Sequence, residues 1–142
     1  MSRIVKLGLV QMHSGPDVED NLKRAFAHVG TLAKRGAKIV ALPELFATPY
    51  FCQTRAPRLL GLAEPIGGPT TRMLQAMARR YRVVLTTSVY EAARGKRYNT
   101  AVVIERDGRL LGTYRKMHIP DDPDNYYGEA YYFTPGDLGV RV

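Results

Sequence analysis

Two rhythms of apolar positions run along the chain and predict its elements. Arg3 to Val10, R-I-V-K-L-G-L-V, is largely apolar and β-branched, the pattern of a buried strand. Pro16 then suits a first helical turn, and Asp17, Glu19 and Asp20 suit the positive end of a helix dipole. Val18, Leu22, Ala25, Phe26, Val29, Leu32 and Ala33 recur at helical spacing, and Gly36 is the expected C-cap. Lys38 to Leu42, K-I-V-A-L, is a second short strand. Strand, helix and strand in about 40 residues predict a βαβ-like unit with parallel pairing.

From Pro43 to Gly68 the pattern is irregular, with short helical turns expected around residues 56–62. Pro69 opens a second helix through Thr70, Met73, Leu74, Met77, Ala78 and Tyr81. Arg82 to Tyr90 is a third strand, and Lys96 to Glu105 a fourth. The turn Arg106-Asp107-Gly108 leads into Arg109 to Arg115, the expected hairpin partner of the fourth strand. The fold class is therefore α/β, a mixed sheet with two main helices, parallel strands first and an antiparallel hairpin later.

Composition narrows the class further. The 142 residues are 45% apolar in periodic blocks, enough for one domain core and unlike a disordered chain. No apolar run approaches the ~20 residues of a membrane span, so no membrane partner is expected. The N-terminus lacks a small-residue cleavage site and does not read as a signal peptide. The single cysteine, Cys52, excludes an intramolecular disulfide and fits a reducing cytosol. The net charge is +8, but the basic residues are dispersed, so nucleic acid is not an expected partner.

Three charged residues stand where chemistry can occur. Glu44, in LPELF, follows the second strand, and ligands of open α/β sheets collect beyond strand C-termini. Its neighbours Leu42, Pro43, Leu45 and Phe46 predict poor solvation and a raised pKa, as a general base needs. Lys116, in YRKMHIP, ends the fifth strand, where a fixed ammonium can stabilise an oxyanion. Glu129, in YYGEAYYF, can hold that lysine by an ion pair. Taken singly, each also reads as a solvated charge on a loop. Cys52, in YFCQ, reads as a small buried hydrophobe rather than a nucleophile. His13, His28 and His118 show no metal spacing, and no glycine stretch matches a phosphate loop, so neither metal nor cofactor is expected.

The ALPELF element, the YRKMHIP element and the YYFTPGD stretch, with the opening strand, its Gln11 and the first helix, resemble the nitrilase or carbon-nitrogen hydrolase superfamily. That resemblance implies an α-β-β-α sandwich and hydrolysis of non-peptide C–N bonds by a Glu–Lys–Cys triad. Glu44 then matches the general base, Lys116 the group that stabilises the tetrahedral intermediate, and Glu129 a further glutamate that holds the site. The tail is most similar to the branch of the family that acts on carbamoyl-amines in polyamine synthesis. Its loop implies a substrate pocket shaped by Tyr126, Tyr127 and Tyr132, with Cys52 as a wall residue. The implied partner is a small-molecule amide or carbamoyl-amine, and the full-length protein is expected to be a homo-oligomer.

No residue matches the family's nucleophilic cysteine. Residues 1–142 are therefore expected to be an incomplete domain, the N-terminal half of the sandwich, inactive in isolation. Another amidase of the superfamily, acting on an ω-amide or a β-ureido acid, is the nearest alternative. A non-catalytic half-domain that docks on a partner chain is a third reading.

Overall fold

The computed structural model describes residues 4–125 and 127–140. Strand β1 (Leu7–Leu9) pairs in parallel with β2 (Ile39–Ala41), in the register Leu7 to Ile39. Between them runs helix α1 (Val18–Lys34). It begins two residues later than Pro16 suggests, because the Asp17 carboxylate accepts the Asp20 N–H at 2.9 Å and caps it. Helix α2 (Pro69–Tyr81) has the predicted bounds. Pro69 supplies a first-turn residue with no N–H to satisfy, and Arg82 stops the helix in the left-handed region at φ +53°.

Strand β3 (Val84–Ala93) pairs in parallel with β2 and antiparallel with β4 (Lys96–Ile104). Arg94 and Gly95, at φ +50° and +74°, make the two-residue turn that suits the strands' twist. Strand β5 (Leu110–Arg115) then pairs antiparallel with β4, completing a five-stranded sheet in sequential order. A small hairpin of β6 (Asp121–Asp122) and β7 (Tyr127–Gly128) stands apart. The parallel-then-antiparallel order follows the sequence expectation.

Both crossover helices step in the same direction across the sheet and so cover the same face. Ala25, Val29, Leu74, Met77 and Ala78 meet Val40, Leu85, Val102 and Ile104 there, all fully buried. Phe26 and Tyr81 pack edge to face at 5.1 Å, across Gly30. A Cβ on Gly30 would lie 2.8 Å from the Tyr81 ring, so the helices approach closely only because that side chain is absent.

Among the described residues no α-helix covers the other face. Cross-strand register places Leu9, Ala41, Thr86 and Val103 in one row, and Leu7, Ile39 and Val84 in the next. Leu7 and Leu9 are 62% and 78% exposed, so β1 is not the buried strand its sequence suggests. A continuous apolar run belongs to a strand covered on both faces, and here the helices cover only one. A second cluster, with Leu45, Phe51, Cys52, Tyr90, Tyr132 and Phe133 at its centre, lies beyond the end of β2 and against the C-terminal half of β3. No helix among the described residues is long and apolar enough to cross a membrane.

Candidate active site

The loop after β2 is tied to β3 at consecutive residues. Leu42 N–H donates to the Thr86 carbonyl at 3.0 Å, and the Thr87 hydroxyl donates to the Pro43 carbonyl at 2.8 Å. Leu45 adopts φ +50°, unusual for a branched residue, and its N–H donates to the Ser88 hydroxyl at 3.0 Å. This turn buries Leu42, Leu45 and Phe46 and puts Glu44 on the open face of the sheet. The Glu44 side chain is 55% exposed, which corrects the expectation of a poorly solvated carboxylate. Its apolar neighbours bury themselves and leave it outside.

Lys116 directly follows β5. Its N–H donates to the Asn99 carbonyl at 2.8 Å, and its own carbonyl accepts from Gly136 N–H at 2.9 Å. The last contact requires glycine, since a Cβ there would collide with the Arg115 carbonyl oxygen. Glu129 opens a short 3₁₀ turn (Glu129–Tyr131) and is buried, at 4% exposure.

These three residues meet. Lys116 Nζ lies 2.8 and 3.1 Å from the two Glu129 carboxylate oxygens and 3.4 Å from Glu44 Oε1. Burial pulls the Lys116 pKa down, but the Glu129 and Glu44 carboxylates outweigh it and leave the ammonium stabilised above its usual range. Two further side chains close the chain of contacts. Tyr50 donates its hydroxyl to Glu129 Oε1 at 3.0 Å, and Asn99 Nδ2 donates to Glu44 Oε1 at 2.5 Å. Sequence reasoning passed over both. A cavity of about 320 Å³ opens beside this cluster, bordered by Glu44, Asn99, Lys116, Ser88, Thr87 and Tyr114.

Of the residues expected to shape a substrate pocket, the described ones do not border this cavity. Cys52 and Tyr132 lie in the second apolar cluster, at 2% and 3% exposure, and border neither end of this cavity. Tyr132 acts there as a pin: its hydroxyl donates to the Thr54 carbonyl at 2.6 Å and accepts the Ala56 N–H at 2.9 Å. Tyr127, in β7, is half-exposed, and Tyr126 lies outside the described residues. Burial, and after it the Glu129 charge, push the Cys52 thiol up to about 12. Among the described residues no group of three or more His, Cys, Asp or Glu side chains is placed to hold a metal ion.

The arrangement offers one exposed carboxylate, one ammonium held by a buried carboxylate, and space beside both. That can move a proton and stabilise an oxyanion. The profile of the carbon-nitrogen hydrolase family matches residues 6–142. This chain belongs to the carbon-nitrogen hydrolase family. As a carbon-nitrogen hydrolase chain it is 39% identical over 142 residues to the N-carbamoylputrescine amidase of Solanum lycopersicum, spanning 99% of this chain and 47% of that protein. It is 35% identical over 139 residues to the citrullinase of Francisella tularensis subsp. tularensis, spanning 97% of this chain and 48% of that one. The crystal structure of a carbon-nitrogen hydrolase from Helicobacter pylori G27 superposes with a TM-score of 0.88 at 36% identity, over 95% of this chain and 46% of that chain. The mixed sheet and its two helices thus reproduce about half of the nitrilase-type fold, and the chain spans about half the length of the curated relatives it matches.

Proposed function

We propose that this chain carries the glutamate and lysine of a hydrolase for non-peptide C–N bonds, acting on a carbamoyl-amine such as N-carbamoylputrescine. The observation that carries the reading is the convergence of Glu44 and Glu129 on Lys116 Nζ, at 3.4 and 2.8 Å, beside an open cavity. The similarity to the tomato N-carbamoylputrescine amidase supports the substrate class. The thiol nucleophile is supplied by protein outside these 142 residues, since Cys52 is buried and held neutral. Residues 1–142 are in this reading an incomplete domain. The cellular setting would be cytosolic putrescine synthesis.

The chemistry divides among the residues as follows. The thiolate attacks the carbamoyl carbon, and the Lys116 ammonium offsets the charge growing on the carbonyl oxygen. Glu44 accepts the thiol proton, passes it to the departing amine, and then activates the water that releases the acyl group. Glu129 keeps the ammonium in place and charged.

A chimera tests this. Residues 1–142 replace the matching segment of the tomato enzyme, which supplies the remainder. We expect ammonia and putrescine from N-carbamoylputrescine, faster than turnover of a β-ureido acid or an ω-amide. E44Q and K116M should each lower kcat/KM by about 10²–10⁴-fold. Preference for an ω-amide would replace the substrate assignment. A folded chimera that hydrolyses none of the panel would refute the reading.

A further inference from the structure

We propose that Asn99 is the positioning residue of Glu44, and that it fixes Oε2 as the carboxylate oxygen that accepts the proton. The inference rests on the hydrolase reading above and deepens it.

Asn99 lies on β4 and is buried, at 3% exposure. It touches the Glu44 carboxylate and the Lys116 backbone by different means. Its side-chain Nδ2 donates to Glu44 Oε1 at 2.5 Å, and its main-chain carbonyl accepts the Lys116 N–H at 2.8 Å. The acid and the ammonium, 72 positions apart in the chain, are thus both registered to one residue.

Glu44 needs such a hold. The ties from Pro43 and Leu45 to Thr87 and Ser88 fix its backbone only. They leave the side-chain torsions of a half-exposed carboxylate free to choose among staggered wells. Lys116 cannot make the choice alone. Its ammonium sits on Glu129 at 2.8 and 3.1 Å and reaches Glu44 only at 3.4 Å. Asn99 supplies the short contact, from a rigid strand. Both donors converge on Oε1, while Oε2 accepts no hydrogen bond among the described residues. The two oxygens of a free carboxylate are equivalent, and this pair of donors makes them different. Oε2 keeps its lone pairs for the thiol proton, and Oε1 stays tied to the neighbour that also holds the lysine strand.

The test uses N99A and N99D in the chimera, with steady-state kinetics across pH and a crystal structure of N99A. The charged groups facing Glu44 are Lys116 and, behind it, Glu129, and both substitutions leave them in place. We expect N99A to lower kcat by about 10–100-fold with KM within about threefold, as loss of orientation requires. N99D puts a second carboxylate where the amide donated. The two then share a proton, and the acidic limb of the kcat/KM profile moves up by about 1 unit or more. A merely structural role would lower the amount of folded enzyme and leave kcat and KM of the folded fraction unchanged in N99A. In the N99A crystal the Glu44 carboxylate should leave its single orientation. An unchanged kcat in N99A, a rise confined to KM, or an unmoved limb in N99D would overturn the proposal. If the parent chimera proves inactive on every substrate, the hydrolase reading fails. The crystal structure then decides on Asn99 independently: an unmoved Glu44 in N99A refutes the positioning role.

Discussion

Cys52 sits where the charges of Glu129, Lys116 and Glu44 all reach it, yet its surroundings bar it from their chemistry. A thiol pushed up to about 12 is ionised in roughly one molecule in 10⁵ at pH 7, and the thiolate is the attacking form. We expect C52A in the chimera to keep kcat/KM within about threefold and to lose on the order of 1–2 kcal/mol of stability through the small void it leaves. The 142-residue chain alone should release no ammonia above background, with or without this substitution. A 100-fold loss in C52A, read by the same ammonia assay, would make Cys52 part of the reaction. The positions of Glu44, Lys116 and Glu129 were legible in sequence because each lies in a short contiguous motif. Tyr50 and Asn99 were not, because their bonds to Glu129 and Glu44 span 79 and 55 positions and leave no local periodicity. A signal for Asn99 did exist: asparagine is disfavoured in strands, and this one stands mid-strand in RYNTAVV. The exposure of Glu44 was illegible for a different reason. Apolar neighbours in sequence say nothing of which way the residue between them points.

At the scale of elements, the end of β5 is held by a clamp around Arg115. Its guanidinium donates to both Glu91 oxygens at 2.6 and 2.8 Å, to Asp137 at 2.6 Å, and lies over the Tyr98 ring at 3.9 Å. Glu91 and Arg115 are nearly buried, so the pair cannot lose one member cheaply. The neighbouring Gly136 N–H holds the Lys116 carbonyl, so the FTPGD segment straps the strand end that presents the ammonium. We expect R115M to destabilise the chimera by about 3–5 kcal/mol, because Glu91 is left charged and unpaired. D137N, at an exposed partner, should lower the melting temperature far less than R115M does. Burial pushes the Glu91 carboxyl up, but Arg115 and Thr100 overcome it and hold it below the usual carboxylate range. A lowered folded-state pKa means stability present above the unfolded value of ~4.3 and lost as pH falls through the lowered one. The melting-temperature gap between parent and R115M should therefore narrow below pH ~4. A gap that stays constant from pH 7 to 3 would show that the pair contributes by packing alone. Elements with strong boundary chemistry were the legible ones: Pro69 opens α2, and Arg106-Asp107-Gly108 separates β4 from β5. Strand β1 was over-read, at eight residues for three, because apolar content marks burial on either face and cannot say where backbone pairing ends.

The whole molecule is asymmetric. One sheet face carries both helices and the fully buried core, while the other presents Leu7, Leu9, Ile39 and Val103, each more than a third exposed. Two neighbouring rows of the register are thus apolar and wet, beside the cavity that Glu44 and Lys116 border. Such a face is costly in water at roughly 25 cal/mol per Å² of apolar surface, and it lowers its free energy by pairing. In the incomplete-domain reading its natural cover is the second sheet of the sandwich, which also brings the thiol to the open side of Lys116. In that reading folding and completion of the site are one event, since the exposed apolar rows adjoin the cavity that Glu44 and Lys116 border. We expect the 142-residue chain alone to self-associate, seen as a concentration-dependent shift in sedimentation velocity. Leu7→Gln with Leu9→Gln should reduce that association without unfolding α1 or α2, which pack on the opposite face. The same pair of substitutions should impair ammonia release by the chimera, where this face must be covered. A monodisperse monomer at high concentration, or a chimera indifferent to both substitutions, would mean that the face needs no cover and that the two halves meet elsewhere.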